Sequence, residues 1–171
     1  MTLLVIGGSG SGKSAWAESV IARLPQKKRF YVATMRASDG ESLARVKRHR
    51  AQRAALGFET LECPLHIGSL RLEYGCAALI EDIPNLLANE MFGGGDWRRI
   101  VPDIRALRRQ SGALVIVTGN VFCDGVRYDE STMEYLRNLA RINGDLAALS
   151  DTVAEVVYSI PVALKGALPC D

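Results

Sequence analysis

Short apolar runs alternate with longer amphipathic segments along the chain. Several runs, such as residues 3–6 and 113–118, lack the polar alternation of a half-exposed strand, which is typical of strands buried on both faces. The segments between them carry apolar residues at helical spacing, and the ambiguous segment 64–74 is also assigned to a helix. The pattern predicts strands at 3–6, 30–34, 58–61, 76–80, 113–118 and 153–159, and helices near 13–24, 41–55, 64–74, 84–92, 97–110 and 130–149.

A glycine-rich loop joins the first predicted strand to the first predicted helix. It has the complete spacing Gly-x-x-x-x-Gly-Lys-Ser of a P-loop, in which backbone N–H groups and a helix N-terminus hold phosphates. Lys13 would reach the outer phosphates of GTP or ATP, and Ser14 would bind Mg²⁺. The alternative is a flexible Gly/Ser turn. The predicted nucleotide-binding residues are Gly7, Gly8, Ser9, Gly10, Ser11, Gly12, Lys13 and Ser14.

Strands that alternate with helices after a P-loop predict an α/β fold. We expect a P-loop NTPase-like, mostly parallel sheet with helices on both faces, formed by residues 1–171 as one domain. Such sheets bind ligands at the carboxyl ends of their strands. The P-loop should therefore share one rim with Thr34, with Glu81 and Asp82, and with the segment 119–120.

Two adjacent acids end the apolar strand at 76–80. An acid at this point of a P-loop fold commonly holds Mg²⁺ opposite the P-loop serine. Adjacent side chains on a strand point to opposite faces, so only one of Glu81 and Asp82 should serve. The alternation does not decide between them, and we take Glu81 as the expected metal contact. The alternative is a solvated strand end.

A basic segment places a histidine between arginines. On a helix, Arg45, His49 and Arg53 stack on one face at spacings of four residues. The neighbouring cations disfavour protonation of the ring, and the guanidiniums can grip phosphate oxygens. The His49 ring could then attack phosphorus to give a phosphoramidate. A solvated basic face with an incidental histidine is the alternative, and the other histidine, His66, has no such surroundings.

Net charge, apolar runs and cysteines indicate which binding partners and which cellular compartment to expect. The formal net charge of +2 is too small to indicate a nucleic-acid or anionic-membrane partner. No apolar run approaches the roughly 20 residues of a membrane span. The start lacks the basic region of a secretory signal, and the four scattered cysteines include no Cys-x-x-Cys pair. A cytoplasmic protein with free thiols is expected.

The sequence resembles the bifunctional adenosylcobinamide kinase/adenosylcobinamide-phosphate guanylyltransferases of cobalamin assembly. The likeness spans nearly the whole chain, and its most discriminating part is an Ala-Thr stretch followed by a basic His-Arg helix. The residues that carry it include Gly7, Gly8, Ser11 to Ser14, Tyr31 to Thr34, Asp39, Glu41, Arg45, His49, Arg50, Arg53, Thr60, Glu62, Pro64, Ile80, Glu81, Asn89, Arg141 to Asn143, Asp151, Val153 and Leu164 to Gly166.

The resemblance implies a P-loop kinase/guanylyltransferase domain with two activities. The first would phosphorylate the hydroxyl of the cobinamide arm of adenosylcobinamide with a nucleoside triphosphate and Mg²⁺. The second would place GMP from GTP on His49 and pass it to adenosylcobinamide phosphate. The resemblance also implies a cytoplasmic homo-oligomer. It implies further nucleotide contacts at Ala33, Thr34, Met35, Arg50, Glu62 and Glu81.

The chain departs from the family pattern at several places on the expected rim. Gly10 stands where the family usually has Arg, Asp82 stands where it has Cys, and the segment 119–122 replaces an Asn-Glu-Val-Gly run. These departures keep three alternatives open: another small-molecule P-loop kinase, a guanylyltransferase lacking the kinase step, and a non-catalytic nucleotide-binding regulator.

Overall fold

A computed structural model describes residues 1–36, 56–121 and 128–169 of the chain. Its centre is a seven-stranded sheet in which all neighbouring strands are parallel except the last pair. The strands are β1 (Thr2–Gly7), β2 (Arg29–Ala33), β3 (Phe58–Glu62), β4 (Ala77–Glu81), β5 (Ala113–Gly119), β6 (Thr152–Val157) and β7 (Ile160–Lys165), in the order β3-β2-β4-β5-β1-β6-β7.

The described helices cover both faces of this sheet. They are α1 (Lys13–Arg23), α2 (Ile83–Phe92), α3 (Ile100–Gln110) and α4 (Glu130–Leu149). The side chain of Asp82 caps α2 and that of Asp129 caps α4, each by accepting a hydrogen bond from a backbone N–H of the first turn. Because these acids also lie at the positive ends of the helix dipoles, they fix where the two helices begin.

Successive side chains of the central strands point to opposite faces of the sheet, so the core has two layers. Leu4 and Ile116 face α2, α3 and α4, whereas Leu3, Val5 and Val117 face α1. All five side chains are fully buried. A sheet that is apolar on both faces explains why these strands lack polar alternation in the sequence.

The predicted fold class is confirmed, but the helix predicted at 64–74 is wrong. Only Ile67–Ser69 forms a single 3-10 turn there. His66 has a left-handed φ of 53°, and Leu70 returns to extended backbone, so a continuous helix cannot pass. Buried Glu90 accepts a hydrogen bond from the His66 N–H at 2.5 Å, and Gln110 accepts one from Leu72 at 2.9 Å. Tertiary partners therefore replace the helical hydrogen bonds.

The strand predicted at 153–159 is wrong at its carboxyl end. β6 stops at Val157, and a two-residue turn at Tyr158 and Ser159 reverses the chain into β7, which pairs antiparallel with β6. Both turn residues have positive φ, at 49° and 66°, as a tight hairpin turn requires. β7 was not predicted because its only sheet partner is β6 and its side chains are mostly exposed.

None of the helices in the described part of the chain combines the length and hydropathy needed to cross a bilayer. Cys63 and Cys76 are free and buried, and burial raises the pKa of both thiols. Cys123 and Cys170 lie outside the described residues, as does the helix predicted at 41–55.

Candidate functional site

The carboxyl ends of the parallel strands form one rim that carries the predicted site residues of the described segments. Ala33 is paired with Glu62 on one side and with Glu81 on the other. At the centre of the sheet, Gly7 is paired with Gly119. The loop after β1 therefore shares an edge with the ends of β2, β3, β4 and β5, as the sequence predicted.

The P-loop turns from β1 into the first turn of α1. Gly10 and Gly12 adopt left-handed φ values of 71° and 89°, which only glycine adopts without strain. The Ser11 N–H donates to the Gly8 carbonyl at 3.3 Å, and the Lys13 ammonium donates to the same oxygen at 3.3 Å. The first N–H groups of α1 have no intrahelical partner, so the loop and helix end together offer donors to an anion.

Glu81 faces the P-loop from the end of β4. Its Oε1 accepts a hydrogen bond from the Ser14 hydroxyl at 2.6 Å, whereas its buried Oε2 has no hydrogen-bond partner among the described residues. Burial raises the pKa of Glu81 to about 7, and the Ser14 hydrogen bond and the Lys13 charge only partly oppose this. An acid with an unused buried oxygen beside a hydroxyl is an incomplete set of hard oxygen ligands.

Ser14 and Glu81 fit a magnesium ion on this chemistry. Mg²⁺ is usually bound by one or two protein oxygens together with phosphate oxygens and water. The orphaned Oε2 of Glu81 and the adjacent Ser14 hydroxyl supply such oxygens at the mouth of the P-loop.

Asp82 caps the first turn of α2. Its Oδ1 accepts hydrogen bonds from the Asn85 N–H at 2.9 Å and from the Asn85 side-chain amide at 2.8 Å. Thr34 is fully buried, and its hydroxyl accepts a hydrogen bond from the Asp82 N–H at 2.8 Å. Asn89 donates to the Thr34 carbonyl at 2.8 Å. Thr34 therefore joins the ends of β2 and β4, and Asn89 ties α2 to the end of β2. The contact of Thr34 with nucleotide stays a prediction.

The remaining predicted nucleotide contacts divide between the rim and the undescribed segment. Met35 is 41% exposed just beyond the end of β2, and Glu62 is exposed at the end of β3. Four predicted residues lie outside the described part of the chain and stay predictions: Arg45, His49, Arg50 and Arg53.

Two hydrogen bonds that hold the rim in place were not predicted from the sequence. The buried Thr118 hydroxyl donates to the Asn143 side-chain oxygen at 2.7 Å, which ties α4 to the end of β5. The Ser159 N–H donates to the Ser11 carbonyl at 2.8 Å, so the β6–β7 turn contacts the P-loop. Asn143 lies next to the apolar Ile142 in the sequence, which was a signal for its contact with Thr118. The contact between Ser159 and Ser11 depends on a turn that the sequence pattern did not reveal.

The raised pKa of Glu81 predicts a pH-dependent stability in the absence of nucleotide and metal. Folded Glu81 keeps its proton up to about pH 7, whereas an unfolded glutamate releases it near the ordinary value of 4.5. The folded state therefore binds more protons between these pH values, and the free energy of unfolding should fall as pH rises through this window. The loss should be on the order of 3 kcal/mol at most.

The measurement is denaturant unfolding of the wild type and of Glu81→Gln at several pH values from 4.5 to 8, with a chelator present. The variant cannot ionise, so it should gain stability relative to the wild type as pH rises. A difference between the two proteins that stays constant across this range would contradict the prediction.

Comparison with known proteins assigns the family. The chain matches the family model for cobinamide kinase / cobinamide phosphate guanyltransferase over residues 3–164. It is 34% identical over 185 residues to the bifunctional adenosylcobalamin biosynthesis protein CobU of Salmonella typhimurium, with 96% of this chain and 100% of that protein covered. It is 29% identical over 169 residues to the bifunctional adenosylcobalamin biosynthesis protein CobP of Pseudomonas aeruginosa, with 95% and 96% covered.

The fold is also found in a solved structure of low sequence similarity. The protein PH0250 of Pyrococcus horikoshii superposes with a TM-score of 0.55 at 12% identity, with 96% of this chain and 86% of that one covered. This likeness concerns the fold alone. The family match, in contrast, extends from β1 through β7 and includes the P-loop and the Glu81 rim. The chain therefore belongs to the cobinamide kinase / cobinamide phosphate guanyltransferase family.

Proposed function

We propose that the chain phosphorylates adenosylcobinamide and then transfers GMP from GTP to adenosylcobinamide phosphate through a guanylylated His49. The observation that carries the proposal is the contact between Ser14 and Glu81 at the mouth of the P-loop, in a chain of this family. That contact joins the two elements that a phosphoryl-transfer site requires: a phosphate cradle and an acid placed beside it.

In the kinase step, the substrate hydroxyl oxygen attacks the γ-phosphorus of the donor. A P–O bond to the substrate forms, the bond to the β-phosphate oxygen breaks, a nucleoside diphosphate leaves, and the hydroxyl proton is released. Lys13 and the N–H groups of the P-loop hold the phosphates and stabilise the developing charge. When bound by Ser14 and Glu81, Mg²⁺ would neutralise charge on the phosphate oxygens.

In the guanylyl step, a ring nitrogen of His49 attacks the α-phosphorus of GTP. A P–N bond forms and pyrophosphate leaves. A phosphate oxygen of adenosylcobinamide phosphate then attacks the same phosphorus, which breaks the P–N bond and gives adenosylcobinamide-GDP. Arg45, Arg50 and Arg53, which accompany His49 in the sequence, would hold phosphate oxygens during both displacements.

The proposal can be tested by following two labels through one reaction. The purified protein is incubated with adenosylcobinamide, MgCl₂ and GTP labelled at either the α- or the γ-phosphorus, and the protein and corrinoid fractions are then separated. We expect the γ-label in the corrinoid phosphate. The α-label should pass first to the protein and then to the corrinoid.

Each alternative gives a different pattern. A γ-label in the corrinoid without any α-label on the protein indicates a kinase alone. Transfer of the α-label only when adenosylcobinamide phosphate is supplied indicates a guanylyltransferase without the kinase step. Nucleotide binding without transfer of either label indicates a regulator and contradicts the proposal.

We also propose that the protein is a cytoplasmic homo-oligomer. Ile160, Val162 and Leu164 recur at every second position of the edge strand β7 and are 64%, 48% and 59% exposed. An apolar row on an edge strand is a surface that a second copy of the chain would cover. The free thiols of Cys63 and Cys76 suit a reducing compartment.

A further inference from the structure

The turn between β6 and β7 is packed against the P-loop. The Ser159 N–H donates to the Ser11 carbonyl at 2.8 Å. A Cβ atom added at Gly12 would overlap the Ser159 side chain, so the two backbones approach as closely as a glycine allows. The turn is therefore fixed relative to the residues that would hold the phosphates.

Tyr158 lies in this turn with its ring exposed. Its side chain is 91% exposed, and its φ of 49° is the left-handed value that the tight turn requires. The turn therefore carries an aromatic ring next to the P-loop without packing it into the core, and the ring is accessible to a ligand.

The strand order gives the direction in which a bound nucleotide would extend. β1 and its P-loop lie between β5 on one side and β6 on the other, and β4, which ends at Glu81, lies beyond β5. Glu81 and Ser14 mark the side of the outer phosphates, because a magnesium ion held by these two residues would neutralise the charge of those phosphates. A triphosphate that runs through the loop away from Glu81 therefore carries its nucleoside towards the β6–β7 turn.

From this arrangement we infer that Tyr158 stacks against the base of the phosphoryl-donor nucleotide. The inference rests on the proposed kinase step and adds to it a base-binding residue. An exposed aromatic ring beside a phosphate site is a suitable platform, because every nucleobase has a π-face and stacking tolerates different bases. A tyrosine in this position therefore predicts a donor site that accepts both ATP and GTP.

The test compares two substitutions at Tyr158. Tyr158→Asn removes the ring and keeps the left-handed backbone, which asparagine adopts readily. Tyr158→Phe keeps the ring and removes only the hydroxyl group. We expect KM for the donor in the kinase reaction to rise about tenfold in Tyr158→Asn with kcat nearly unchanged, and to stay near the wild-type value in Tyr158→Phe.

Tyr74→Asn is the matched control. Tyr74 is 88% exposed and precedes β4 at the opposite edge of the sheet, so its replacement should leave KM unchanged. An unchanged KM in Tyr158→Asn would overturn the inference. An equal rise in Tyr158→Phe would also overturn it, because the hydroxyl rather than the ring would then bind. A change in oligomeric state without a change in KM would assign the ring to a subunit interface and overturn it as well.

A binding measurement separates this inference from the proposed function. Equilibrium dialysis with a non-hydrolysable ATP analogue and Mg²⁺ reports on donor binding without turnover. Weaker binding in Tyr158→Asn than in the wild type supports the stacking contact even if no phosphate reaches the corrinoid. Equal binding in both proteins overturns it even if the kinase reaction proceeds.

Discussion

Replacing Lys13 with alanine should lower the rate of phosphate transfer to adenosylcobinamide by about 10²- to 10³-fold. The ammonium of Lys13 lies over the P-loop, where it donates to the Gly8 carbonyl at 3.3 Å, and it can turn to the outer phosphates of a bound donor. Without it, the charge that develops on the transferred phosphoryl group loses a cation that stabilises it. The measurement is the initial rate of γ-label transfer with saturating substrates.

Lys27→Ala is the control for this experiment. Lys27 is an exposed lysine in the connection between α1 and β2, at the opposite edge of the sheet from the P-loop. The substitution Lys27→Ala removes the same charge from the protein and should leave the rate of phosphate transfer unchanged. A Lys13→Ala protein that transfers phosphate within threefold of the wild-type rate would contradict the proposed role of Lys13.

Replacing His49 with asparagine should abolish the covalent GMP label, a loss of about 10³-fold or more, because the proposed attacking nitrogen is then missing. The protein is incubated with GTP labelled at the α-phosphorus, denatured and counted. A label on a histidine nitrogen is expected to be labile in acid and stable in base. Transfer of the γ-label by the kinase step should survive, since the P-loop is intact.

His66→Asn is the matched control, because the chain has only these two histidines. His66 has a left-handed φ of 53°, which asparagine tolerates, so the backbone should be preserved. The label should remain in this variant. Loss of the label in His66→Asn but not in His49→Asn would identify His66 as the nucleophile and contradict the proposal.

The sequence was informative wherever one local signal determined the outcome. The P-loop spacing placed Lys13 at the start of α1. Alternation alone did not decide which of the two adjacent acids serves the site, and the structure brings Glu81 to Ser14 and uses Asp82 to cap α2. A metal contact of Glu81 stays a prediction. Uniformly apolar runs identified the central strands, because burial on both faces leaves a direct trace in composition.

The errors occurred where distant residues decide the local structure. Residues 64–74 looked helical, but Glu90 and Gln110 supply the backbone partners that a helix would have supplied. Similarly, the contact of Ser159 with Ser11 depends on a turn whose two residues both adopt positive φ without a glycine. No pattern in a single sequence reports such contacts, since each depends on chain segments far apart.

The central position of β1 has a consequence for how the protein is made. Thr2 pairs with Leu114, and Leu3 pairs with Thr152, so β1 is synthesised more than 100 residues before either of the strands that pair with it. Its apolar residues must stay unpaired during that interval, when aggregation competes with productive folding. Long-range parallel pairing is also slow to form. Expression at reduced temperature or with added chaperones should therefore increase the yield of native protein more than any change at the exposed edge strand.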